Sequence, residues 1–265
     1  MASGNYETLN VQDLDENIRL ITLNRPEVAN AINTQMAAEL LDFFSNLILE
    51  SPLPRCLVVT GAGQKAFCAG GDLKQRNSMS DDDWRAQHLL IERAILAMTD
   101  CPIPVLAAVN GIAFGGGLEL ILNMDFAYAA DSARFALTET SLGIMPGAGG
   151  TQNLPRAVGM RRAKEIIFSA QAFSAQDALD WGIVNRLFAA DRVLEETLTM
   201  ARRIARNAPL SIRQAKKAIQ LGAEMDRRTA LYFEVEAYNH LVSTDDRREG
   251  VAAFSEKRPP RFQGK

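Results

Sequence analysis

Three observations on this 265-residue chain predict an α/β fold with a helical C-terminal region. Short apolar runs alternate with helix-period segments through the first two thirds. Glycine-rich turns punctuate that alternation, and after Pro146 the pattern becomes mainly helical. A shift of this kind reads as a strand-and-helix core followed by a helical appendage.

IRLITLN (18–24) reads as a strand stopped by Arg25-Pro26, since proline cannot continue the ladder. Asn33-Thr34 can cap a helix whose apolar positions Met36, Leu40, Leu41, Phe44 and Leu47 recur at helical spacing. CLVVTG (56–61) is continuously apolar, as expected of a strand covered on both faces. Residues 81–99 read as a helix, with Asp81, Asp82 and Asp83 at the positive end of its dipole. PVLAAVNG (104–111) is a second buried strand that leads into a glycine-rich helix start. DFAYAA (125–130) and ARFAL (133–137) are short strands. Helices are expected around 161–169, 174–181, 191–206, 209–220 and 226–241, with a short segment near 246–256.

Composition narrows the class. A chain of this length that is 47% hydrophobic can bury a full core. Its 29 basic and 32 acidic residues, net −3, leave no electrostatic footprint for nucleic acid or an anionic membrane. Three cysteines, Cys56, Cys68 and Cys101, do not suggest a disulfide framework. The acidic N-terminus does not read as a signal or transit peptide, and no apolar run reaches the ~20 residues that span a bilayer. The expectation is a soluble cytoplasmic protein.

Function concentrates between Asn110 and Gln152. Glu119 follows the triplet Gly115, Gly116, Gly117, and Glu139 lies ahead of a second glycine-rich turn that opens at Gly147. Glycine lets backbone approach a ligand closely, and free N–H groups there can hold an oxyanion. A glycine triplet often marks only a tight turn. The apolar neighbours Leu118, Leu120, Ile121 and Leu122 argue for more, because a glutamate among them is costly to bury without a task or a partner. Two carboxylates beside amide donors suit proton transfer next to an activated carbonyl. No GxGxxG or GxxxxGK[ST] occurs, and no His/Cys/carboxylate cluster has metal-ligand spacing. His88 and His240 are isolated on helical stretches and read as solvated or structural.

Along nearly its whole length the chain resembles the enoyl-CoA hydratase (crotonase) superfamily. The matching pieces are NRPEVANAIN (24–33), GAGQKAFCAGGDLK (61–74), NGIAFGGGLEL (110–120), LTETSLGIMPGAGGTQNLPR (137–156), FSAQDALDWGIVNRL (173–187) and EGVAAFSEKRPPRF (249–262). The resemblance implies a ClpP-like spiral of ββα units over residues 1–195, holding the active site. A helical region over 196–265 would build a trimer, often paired into a hexamer. It implies a coenzyme A thioester substrate and no metal or redox cofactor.

By that resemblance the enolate oxygen is held by the amides of Cys68 and Gly116. Glu119 activates water, Glu139 protonates Cα, and the Gly147 amide helps hold the water. CoA contacts are implied at Val28 and Ala29, at Ala69, Gly70, Gly71, Asp72 and Leu73, and at Phe254 and Lys257. Both glutamates fit a hydratase. Isomerisation of a Δ3 to a Δ2 enoyl-CoA needs only one carboxylate, and a non-catalytic CoA- or RNA-binding relative needs neither. The sequence looks close to the methylglutaconyl-CoA hydratase branch. One relative there binds RNA through a lysine-studded helix, whereas 33–51 here has no Lys or Arg, which argues against RNA. The region 75–100, with Trp84, His88 and Arg93, is expected to line the acyl end.

Overall fold

The computed structural model describes residues 6–265, so the first five residues of the acidic N-terminal stretch lie outside the described residues. Strands β1 (Leu9–Leu14) and β2 (Ile18–Leu23) lead into α1 (Thr34–Leu47). Asn33 caps α1 by accepting the Met36 amide at 2.8 Å. Strands β3 (Cys56–Gly61) and β4 (Ala66–Cys68) precede α2 (Leu73–Arg76) and α3 (Asp81–Thr99). Strands β5 (Val105–Val109) and β6 (Ile112–Phe114) precede α4 (Gly116–Leu122). Then β7 (Phe126–Ala130) and β8 (Arg134–Ala136) run into a 3-10 turn at Glu139–Leu142, α5 (Gly150–Val158) and α6 (Met160–Ser169). The chain continues through β9 (Phe173–Ser174), α7 (Ala175–Asp180) and β10 (Arg186–Phe188). It closes with α8 (Val193–Ala205), α9 (Pro209–Gly222), α10 (Arg227–Val242) and α11 (Asp245–Ser255).

These strands build two sheets. The first has the order β1-β2-β3-β5-β7-β10, parallel except for β1, and the second the order β4-β6-β8-β9, parallel except for β9. Parallel neighbours cannot be joined by a hairpin, so each return passes through a helix, and those after β3, β5 and β7 pass through the second sheet as well. The outcome is the expected ββα spiral. Every residue of β3 is buried, as its continuous apolar sequence required.

Alternation along β2, β3 and β5 sends side chains both ways. Leu57 and Val59 join the main core with Phe44, Phe67 and Met98. Ile18, Leu20, Cys56, Val58, Leu106 and Ala108 face Leu198, Ala201 and Ala205 of α8. The division expected at residue 195 falls within this helix, whose buried stripe covers the first sheet and belongs to the core. The helices that stand apart begin with α9, and α9 and α10 pack on each other while leaving Ile219, Leu231, Tyr232, Val235 and Tyr238 exposed.

Candidate active site

Two glycines set up the site. Gly115 is the N-cap of α4 with φ 51°, a left-handed value that glycine tolerates best. Gly117 lets α4 press onto β4, since a Cβ there would come within 2.1 Å of the Cys68 carbonyl oxygen. The helix begin is thereby driven against the strand end, and Glu119 is carried into the interior, 3% exposed.

Glu119 is held by backbone. Its Oε1 accepts the amides of Ala148 and Gly150, both at 2.8 Å, so the second glycine-rich turn folds directly onto the carboxylate. Burial raises its proton affinity, while those two amides, His88 and Arg76 oppose the rise. Glu139, at the start of the 3-10 turn, is 8% exposed, and its buried Oε2 has no hydrogen-bond partner. Burial pushes its carboxyl up to about 7, and the neighbouring Glu119 charge acts in the same direction. A Cβ on Gly115 would lie 3.1 Å from Glu139 Oε1, so the start of α4 runs past this carboxylate too. Both glutamates line one cavity of about 660 Å³.

The backbone donors follow from a hydrogen-bond account of residues 68–72. Cys68 lies within β4, paired with β6. Ala69 donates its amide to the Ala29 carbonyl at 3.0 Å, Gly70 reaches Cys68 Sγ at 3.4 Å, and Asp72 donates to the Ile32 carbonyl at 2.9 Å. Gly71 forms a parallel bridge with Ile32 in which Gly70 O and Asp72 N make the bonds, which turns the Gly71 amide the other way. Gly71 and Gly116 both line the cavity, and a Cβ on Gly116 would lie 3.8 Å from the Gly71 nitrogen. At the first position of α4, the Gly116 amide has no intrahelical acceptor. Cys68 is fully buried and packs into the main core rather than onto the cavity wall. Its expected place beside Gly116 is taken by Gly71.

A family model described as enoyl-CoA hydratase/isomerase matches residues 13–265. The chain belongs to that family. YngF of Bacillus subtilis, which carries the same family description, is 42% identical over 250 residues, 94% of this chain and 96% of its own. A short-chain-enoyl-CoA hydratase of Clostridium acetobutylicum is 38% identical over 91% of this chain and 92% of its own. The crystal structure of an enoyl-CoA hydratase from Bacillus anthracis superposes with a TM-score of 0.95 at 41% identity, covering 98% of this chain and all of that one. This is an enzyme of the hydratase/isomerase family, which acts on acyl-CoA thioesters.

Other expected positions of this family member are divided. Ala69, Gly70, Gly71, Leu73 and Gly147 line the cavity. Val28, Ala29 and Asp72 do not reach its wall. Ala29 takes a left-handed turn behind it, and the Asp72 carboxylate pairs with Arg25 at 2.9 Å while capping α2 through the Gln75 amide. Phe254, 88% exposed, and Lys257 lie on the C-terminal segment, and neither lines the cavity within one chain. Lys257 follows the end of α11 with φ 55°, so it does not continue the helical turn that carries Phe254.

The region 75–100 is mostly the regular helix α3. Trp84 and His88 reach the cavity, whereas Arg93 does not. His88, expected to be solvated or structural, packs over Gly147, where a Cβ would meet its Cε1 at 2.5 Å. Sequence held no signal for that contact, because it joins residues 59 positions apart. Glu39 of α1 is also buried, accepting the Glu7 and Thr8 amides, so the helix surface gains no charge from it. Among the described residues no helix is long and apolar enough to cross a membrane, and no group of His, Cys, Asp and Glu could hold a metal ion.

Proposed function

We propose that this protein is an enoyl-CoA hydratase, adding water syn across the double bond of a 2-trans-enoyl-CoA to give the 3-hydroxyacyl-CoA. The observation that carries the reading is the pair of buried glutamates, one held by two amides and one with a buried oxygen that has no partner, beside two free backbone donors. Glu119, held with one oxygen on the Ala148 and Gly150 amides, activates the water that attacks Cβ. Glu139, whose carboxyl is pushed toward its protonated form, delivers the proton to Cα. The Gly71 and Gly116 amides receive the negative charge that develops on the thioester oxygen. Donors of this kind are worth ~3–4 kcal/mol each in the transition state. The Gly147 amide, on the same wall, assists in holding the water.

The backbone around Val28 and Ala29 and between Ala69 and Leu73 supports the CoA moiety in this reading, and Phe254 and Lys257 reach the nucleotide from a neighbouring subunit of a trimer or hexamer. A family isomerase needs a single carboxylate to shuttle a proton. Two buried ones favour hydration. The test is a spectrophotometric assay of purified protein on crotonyl-CoA. Loss of the conjugated thioester absorbance with formation of 3-hydroxybutyryl-CoA is expected. Isomerisation of a 3-enoyl-CoA without hydration of crotonyl-CoA would overturn the reading.

A further inference from the structure

Beside the two glutamates the cavity wall carries Arg76, Arg85 and His88; Arg85 pairs with Asp82 at 2.8 Å and His88 packs over Gly147, which leaves Arg76 as the basic group to account for. Arg76, at the end of α2, is half-buried, and its guanidinium lies against Gly71, where a Cβ would sit 3.0 Å from both Cζ and Nη1. It is also fixed. Its Nε donates to Gln87 Oε1 at 2.8 Å, and its Cζ lies 4.7 Å from the centre of the Trp84 ring. Gln87, only 2% exposed, is itself locked, because its Nε2 donates to Thr34 Oγ1 at 2.8 Å and to Gln75 Oε1 at 2.9 Å.

What Arg76 lacks is an anion in direct contact, since Glu119 and Glu139 act on its charge only through space. Among the described residues it forms no ion pair, and neither Nη has an acceptor, although Arg19 and Arg25 elsewhere in the fold are paired with carboxylates. A guanidinium loses much of its hydration in such a site, and burial does work against the Arg76 charge. A planar fork held at Nε on a cavity wall, with neither Nη engaged, can grip a carboxylate through two parallel bonds. Its contact with Gly71 places it within a short chain's reach of the thioester oxygen expected there.

We propose that Arg76, positioned by Gln87 and Trp84, anchors a second carboxylate on the acyl group, so that the preferred substrate is a short enoyl-CoA whose acyl chain ends in an acid. This rests on the hydratase reading for its chemistry, but not for its binding test. A competing role, direct stabilisation of the enolate by the Arg76 charge, predicts a different pattern and is separated below.

Binding is measured first, on the wild-type protein and without turnover. Glutaryl-CoA is expected to bind at least ~10-fold more tightly than butyryl-CoA, the gain of one charge-assisted pair. Equal affinities would overturn the proposal whether or not the protein hydrates anything. Turnover is then compared for glutaconyl-CoA and crotonyl-CoA. Arg76→Met should lower kcat/KM at least ~30-fold more for glutaconyl-CoA than for crotonyl-CoA, with the difference carried by KM. Retained crotonyl-CoA hydration also shows that the variant folds. Arg76→Lys should recover part of the loss, since charge survives and the planar fork does not. A matching fall in kcat on both substrates would assign Arg76 to the enolate and overturn the anchor.

Discussion

Glu119 and Glu139 share a cavity but not an environment: Glu119 Oε1 takes two amides at 2.8 Å, while Glu139 Oε2 is buried with no partner. Hydrogen bonds to the charged form favour it, and desolvation without them favours the neutral form. In the proposed hydration this difference suits two like side chains to opposite tasks, base and acid.

Glu119→Gln and Glu139→Gln should each lower kcat on crotonyl-CoA by at least ~100-fold, the usual span for a general acid or base. KM should change little, since neither side chain is assigned to the CoA moiety. The double variant should lose less than the product of the single losses, because both groups act on one water. Steady-state kinetics on the three proteins decide this, and near wild-type hydration by either single variant would remove that glutamate from the mechanism.

The rate should depend on pH through Glu139. Its carboxyl titrates near 7 in the folded protein, and protonation of Cα requires the acid form, so kcat/KM for hydration should fall as pH rises through about 7. Stability should follow the same group. A folded carboxyl that holds its proton more tightly than the unfolded one, at ~4.3, contributes fully below that value, and its contribution is lost as pH rises through about 7. Glu139→Gln should therefore melt higher than wild type at about pH 8 and not at about pH 4. Equal melting shifts at both would mean that the carboxyl is not held neutral.

Cys68 should prove chemically quiet. Burial pushes its thiol up to about 12, so almost none is thiolate at neutral pH. Its side chain packs in the core and touches the Gly70 amide only weakly, at 3.4 Å. Cys68→Ala should keep most hydratase activity, and native protein should resist thiol reagents. Complete loss of activity with an unchanged circular dichroism spectrum would point to a covalent role instead.

Assembly should be measurable in solution. Leu231, Tyr232, Val235 and Tyr238 form an exposed face on α10 at 51%, 62%, 53% and 67%, more apolar surface than an isolated helix usually leaves to water. Light scattering should give a mass of three or six chains. A fully active monomer would exclude that.

Much of this was legible in the sequence, for reasons that are local. β3 is continuously apolar and its expected ends match those observed, β5 begins one residue inside and ends two residues inside the expected 104–111, and Asn33 and the acidic run Asp81, Asp82 and Asp83 mark the starts of α1 and α3. β1 escaped notice because it is an edge strand with one buried residue, Leu9, so no alternation shows. α5 was missed because it opens on glycines and contains Pro155, both of which read as helix breakers. At the site Glu119 stood out as a charge in apolar surroundings, whereas Glu139, between Thr138 and Thr140, was marked by the family resemblance. The choice of Gly71 over Cys68 did not, because it depends on which way each amide points, and a bridge to Ile32, 39 positions earlier, decides that.

That bridge has an evolutionary consequence. The two donors proposed for the negative oxygen belong to main chain, and the aim of the Gly71 amide is set by a strand-like contact with Ile32 that no side chain makes. A single substitution can delete a glutamate or Arg76 outright, but it cannot delete a backbone amide short of proline. Loss of the acid, the base or the acyl anchor thus leaves a scaffold that still grips a thioester and polarises its carbonyl. Such a scaffold needs only new side chains on the opposing wall to acquire a different reaction, and its inherited part is the one that ordinary point mutation reaches least.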